Sequence, residues 1–149
     1  AFAVLPDAAE NLTAWFAEVL EPGWNAPPVT IDFGGLAFVG NRPVSLVNRS
    51  NVALVNGTLL RTVQGEIVYP RGNPHLSFSA CTNVSIVDIH VRGLNAAGAY
   101  ETRYAFEAAI LLGGSSSDVF IQRFEATDVY GDGLQCEGAY NVTLIDSGA

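Results

Sequence analysis

The chain has 149 residues, 49% of them hydrophobic, which suffices for one domain with a continuous core and argues against disorder. Its formal charge is −8, and its 7 basic residues, all Arg, are spread singly along it. A surface of that sign repels phosphate, so neither nucleic acid nor an anionic membrane is an expected partner, and no apolar run approaches the roughly 20 residues that cross a bilayer.

The first predicted element is a short amphipathic helix over residues 6–20, PDAAENLTAWFAEVL. Asp7 is placed to cap the first free amides with Glu10 three positions on, and Leu12, Phe16, Val19 and Leu20 recur at three- and four-residue spacing. Glu21-Pro22-Gly23 stops it, because Pro22 blocks continuation and Gly23 accepts a turn conformation. Residues 1–27 therefore read as an N-terminal capping helix with its linker, and 28–149 as a second region of short apolar segments punctuated by Gly, Asn, Pro and Ser. An N-terminal Ala in place of Met suggests a mature terminus left after processing.

A phrase then recurs: NVALVN from Asn51, NVSIVD from Asn83, DVFIQR from Asp118 and NVTLID from Asn141. In a strand, second and fourth residues share a face, so Val52/Leu54, Val84/Ile86, Val119/Ile121 and Val142/Leu144 are expected to point inward. Ala53, Ser85, Phe120 and Thr143 then face outward. Seven residues upstream of each start stand Val44, Leu76, Leu111 and Leu134, and five upstream stand Leu46, Phe78, Gly113 and Cys136. Two strands and their turn thus repeat together. The last interval implies a turn of about 22 or 23 residues, and the longer first two need insertions, placed at 63–74 and 94–103.

A repeat this short, built of strands without a long helix, predicts an all-β fold: a right-handed parallel β-helix, or β-solenoid, with a short N-terminal capping helix. Neighbouring turns would lie about 4.8 Å apart. Asn or Asp at the head of each phrase tolerates left-handed backbone and can bond along the stack. An immunoglobulin-like sandwich leaves the four aligned inward positions unexplained. The helix together with VTIDFGGLAFVG, PVSLVNRSNVALVNGTLL and YGDGLQCEGAYNVTLIDS resembles the pectin-lyase-like family of right-handed parallel β-helix proteins over most of residues 6–149. The resemblance implies that the helix covers one end of the stack. No such cap is visible after Asn141, so the C-terminal coil is expected to be open, truncated or continued by another chain.

For chemistry, the repeat alignment gathers Asp128, Asp132 and Glu137 on the last two coils, near Glu107, Arg103 and Arg123. Paired carboxylates can act as acid and base on a glycoside, and an Arg can neutralise a uronate. The family resemblance implies two forms of this: a polygalacturonase-like site at Gly131-Asp132-Gly133-Leu134, or a lyase site in which Asp128, Asp132 and Glu107 hold Ca²⁺ and Arg123 is the base. The adjacent Asp pair and downstream basic pair of the hydrolases are missing here. The competing expectation is that these acids are solvated surface groups. No cofactor is called for beyond that candidate Ca²⁺. His75 and His90 form no ligand pair and read as ordinary turn and strand residues. Trp24, Tyr69, Tyr100, Tyr104, Tyr130 and Tyr140 are available to stack on sugars.

Cys81 and Cys136 fall two coils apart, about 9.6 Å, beyond disulfide reach, so two free thiols are expected, with Cys136 in the core. Asn-x-Ser/Thr triplets at Asn11, Asn48, Asn56, Asn83 and Asn141 are candidate glycosylation sites and point to an extracellular or cell-surface protein. The expected function is a structural or interaction role, as a subunit of a filament or oligomer that self-associates or receives another chain at its open end. The alternatives are a lyase or hydrolase acting on an acidic glycan, and a noncatalytic glycan-binding module.

Overall fold

We describe residues 5–40, 42–62, 73–98 and 107–149 of a computed structural model. Its helical start is a 3-10 turn, Ala9–Asn11, running into α1, Leu12–Val19. The expected cap at Asp7 is corrected: Ala8 is extended (φ −134°), which separates Asp7 from the first helical amides, and no side chain caps either helical segment. The Glu10 side chain lies outside what is described. The apolar face is as expected, with Leu12, Phe16 and Leu20 buried. The helix ends at Val19 because Leu20 is already extended, ahead of Pro22. No described helix is long and apolar enough to cross a membrane.

Everything beyond is strand and turn. The strands are β1 (Val29–Asp32), β2 (Ala37–Val39), β3 (Val44–Val47), β4 (Ser50–Leu60), β5 (Leu76–Ser79), β6 (Thr82–Arg92), β7 (Ile110–Gly113), β8 (Ser117–Gln122), β9 (Glu125–Thr127), β10 (Leu134–Glu137) and β11 (Tyr140–Ile145). One parallel sheet runs β1-β4-β6-β8-β11, with β2 on β4 and β9 on β6; the other runs β10-β7-β5-β3. Each strand pairs with its counterpart one repeat away, so every repeat from β3 onward feeds both sheets. Val52, Val84, Val119 and Val142 lie side by side, as do Leu54, Ile86, Ile121 and Leu144. A further repeat precedes them, because Val29 and Ile31 stand beside Val52 and Leu54. The phrase search misses it since VTID lacks the leading Asn or Asp.

The second sheet corrects the upstream register by one residue. Leu76 and Leu134 both face Ile110, and Phe78 and Cys136 both face Leu112, so Ile110 and Leu112 replace the expected Leu111 and Gly113. The turn before β8 holds three residues where that before β6 holds two, and Gly114 and Ser115 absorb the extra one with φ of 57° and 65°.

Left-handed backbone recurs in columns. Asn51, Asn83, Asp118 and Asn141 form one, and Asn56, Asp88, Arg123 and Asp146 another, with φ between 47° and 59°. Such φ costs most side chains about 1–2 kcal/mol, and Asn and Asp tolerate it best, which accounts for the head of each phrase. The second column falls within β4 and β6 and separates β8 from β9. Asn83 Nδ2 donates to Asn51 Oδ1 at 2.7 Å, Asn141 donates to Asp118, and Asn51 donates to the Ala26 carbonyl.

One core cluster takes side chains from both sheets and from α1. Thr13 Oγ1 accepts a hydrogen bond from Ser45 N–H (2.9 Å) and donates to the Pro43 carbonyl (3.3 Å), so the helix occupies the free edge of β3. At the opposite end β10 and β11 are last in their sheets. Both thiols are free and Cys81 is buried, but Cys136 is exposed, which corrects its core assignment. Its register is inward, but β10 is last in its sheet and no described repeat lies over it. Residues 63–72 and 99–106, which take in most of the first expected insertion, half of the second, and Tyr69, Tyr100, Arg103 and Tyr104, lie outside the described residues.

Candidate functional site

Where the second left-handed column crosses the larger sheet there is a lateral trough. Thr58, His90 and Glu125 are register partners across β4, β6 and β9, one rung apart on the outer face. Beside them, in the left-handed column, stand Asn56, Asp88 and Arg123. The trough measures about 310 Å³ and these six residues line it. Arg123 grips Asp88 with Nε–Oδ1 at 2.5 Å and Nη2–Oδ2 at 2.7 Å. The guanidinium holds the Asp88 carboxyl below its usual range and is itself raised by it. Both side chains are open to water, so the pair adds little to stability. His90 Nε2 lies 2.8 Å from Thr127 Oγ1, which orients the ring along the trough wall.

A second polar group is wholly interior. Arg61 follows β4, His75 precedes β5 and Glu107 precedes β7, one residue from each of three successive repeats. His75 Nε2 is 2.8 Å from Glu107 Oε1, and Arg61 Nη1 is 3.7 Å from the same oxygen. Arg61 also donates to the carbonyls of Asn73 (3.1 Å) and Pro74 (3.2 Å). Burial pushes the His75 pKa down, against the pull of its bond to Glu107, and burial lowers Arg61 as well.

The residues gathered by the repeat alignment are distributed over separate places. Arg123 is in the trough with Asp88. Asp128 pairs with Arg92, Oδ2–Nε 3.1 Å. Asp132 is exposed, and its main-chain oxygen accepts from Ala109 N–H at 2.8 Å. Glu107 meets the segment before Asp132 through backbone, Gly131 N–H donating to Glu107 O at 3.0 Å, while its carboxylate meets His75. Asp128, Asp132 and Glu107 do not converge, and among the described residues no three His, Cys, Asp or Glu side chains are grouped to hold a metal.

Sequence reasoning did not single out Arg61, Asp88 or Glu125, and it read His75 and His90 as ordinary turn and strand residues. Asp88 had a legible signal: the sixth residue of the phrases reads Asn56, Asp88, Arg123 and Asp146, setting opposite charges on adjacent rungs. Arg61 and His75 flank the first insertion and Glu107 follows the second, positions that only structure makes meaningful. All five candidate glycosylation residues are exposed; Asn83 and Asn141 use their Nδ2 atoms in the ladder, and Asn56 Nδ2 donates to Asp32 Oδ1 at 3.4 Å. Trp24 and Tyr140 are exposed and Tyr130 is half-buried. Comparison with known protein families, curated proteins and solved structures found no match to this chain.

Proposed function

We propose that the chain is a right-handed parallel β-helix of the pectin-lyase-like type, extracellular or at the cell surface, with a structural or interaction role exercised through its β10–β11 end. The observation that carries this reading is an inward position left open at that end: Leu144 is 50% exposed where its register partners Leu54, Ile86 and Ile121 are buried. Tyr140, Leu144 and Ile145 are 61%, 50% and 38% exposed, beside two edge strands with unpaired backbone. The partner is a second copy. α1 covers the other end, so copies of these 149 residues that associate by their β10–β11 ends would meet about a twofold axis, which closes at a dimer. Sedimentation of the full chain over a range of concentrations should show a monomer–dimer equilibrium, shifted to monomer by Leu144→Glu with unchanged circular dichroism. A wild-type chain that stays monomeric at its highest soluble concentration would overturn the reading.

The trough favours a second reading, a glycan-binding module, because its amide, hydroxyl, carboxylate, imidazole and guanidinium groups suit a polyhydroxylated ligand. Saturable binding of acidic oligosaccharides that Arg123→Ala abolishes, without product formation, would support it over a lyase or hydrolase.

A further inference from the structure

Arg61, His75 and Glu107 tie three successive repeats at a place apart from both the open end and the trough. Their side chains are almost fully buried, at 2%, 3% and 0% exposure. An ionised carboxylate in such a site must be compensated, and here Arg61 supplies the charge and the His75 Nε2–H a direct hydrogen bond. Adding a proton to His75 places a further positive charge inside the protein, beside that of Arg61.

We propose that this cluster is an acid-sensitive latch, in which neutral His75 holds the three repeats together and its protonation loosens them. Arg61, from the segment after β4, opposes that protonation, and Glu107, from the segment before β7, favours it. Of the other neighbouring segments, the one before β3 contributes Arg42, which is exposed, and the one before β10 contributes Asp132, exposed, and Tyr130, half-buried. Burial is the largest influence and opposes the charged imidazole. The folded His75 therefore titrates below the unfolded value of about 6.5. Above that pH both states are neutral and the latch is fully in place. As pH falls below it the unfolded chain takes up a proton that the folded chain resists, so stability is lost on acidification down to the folded pKa.

The chain contains two histidines, so His90→Gln leaves His75 as the sole imidazole, and its NMR titration reads the latch directly. The expected midpoint is below about 6.5. Exchange of the Leu76 and Ile110 amides, bonded to Ala109 and Gly133 beside the cluster, should quicken over the same range. Between neutral and mildly acid pH the wild-type Tm should fall further than that of His75→Gln, which keeps a donor but cannot titrate. The extra fall is about 4 °C for each pH unit by which the midpoint is depressed. A midpoint at or above the unfolded value, or equal pH dependence in wild type and a folded His75→Gln, would overturn the latch. If His75→Gln does not fold, the titration of the His90→Gln chain decides alone.

Discussion

At one end of the stack Leu12 and Phe16 of α1 lie over the first repeats and are buried with Phe33, Phe38 and Val44. At the other, Val142 and Leu144 occupy the register columns of Val52 and Leu54, yet Val142 is half-buried and Leu144 half exposed. The four-residue phrase is the same at both places. Burial in this architecture thus belongs to a position and its next neighbour along the stack: an inward side chain is removed from water only when a repeat or a helix covers it. The first repeat, which lacks a strand in the smaller sheet, is completed by α1, with Thr13 in place of strand backbone on β3.

The largest test of this contrast is the helix. Phe16→Ala removes a fully buried ring from the seal and should cost about 3–5 kcal/mol in denaturant unfolding, whereas Leu144→Ala should cost under about 1 kcal/mol. Similar losses from the two would mean that the β10–β11 end is covered in solution. A step down is Gly57→Ala. A Cβ there would stand 2.7 Å from Phe33 Cδ2, so the ring that closes the first repeat must shift, at about 1–3 kcal/mol. A neutral outcome would show the capped end to be loosely packed.

Smaller again is the ladder. Asn83→Ala combines left-handed backbone on a Cβ-bearing residue with loss of the bond to Asn51, about 2 kcal/mol together, while Asn83→Gly loses only the bond, about 1 kcal/mol. Equal costs for the two would assign the asparagine to hydrogen bonding alone.

The inward columns were legible because their period is set by strand geometry, and the Asn and Asp heads because only a few side chains accept φ near 55°. The slip at Leu111 arose because one extra residue in a Gly-Ser turn leaves no mark on apolar spacing. Cys136 was placed correctly in register and wrongly in burial, since a sequence pattern reports direction and cannot report what lies beyond. The carboxylate cluster failed for a related reason. Repeat stacking brings backbone segments together, as it does for Glu107 and Gly131, but the direction of each side chain within a turn depends on local dihedrals that the phrase does not constrain. Glu107 accordingly points to His75, a residue one repeat earlier and hidden behind an insertion.

The smallest expected effect is at Arg123, and it separates folding from recognition. Arg123 is the one member of its left-handed column that is neither Asn nor Asp, so its backbone is held where an Arg is disfavoured, at φ 47°. Its return is an ion pair with Asp88 that water screens on both sides. Arg123→Asn should therefore leave Tm unchanged or raise it by about 2 °C, read by thermal melts at low and moderate salt. A clear loss of stability, largest at low salt, would assign the side chain to holding the left-handed backbone there against Asp88. An unchanged or raised Tm leaves the fold with no need of an arginine there, the result that the glycan-binding reading proposed for the trough expects. In that sense the trough differs from both ends of the stack, where every side chain considered is accounted for by packing against the next repeat or by the lack of one.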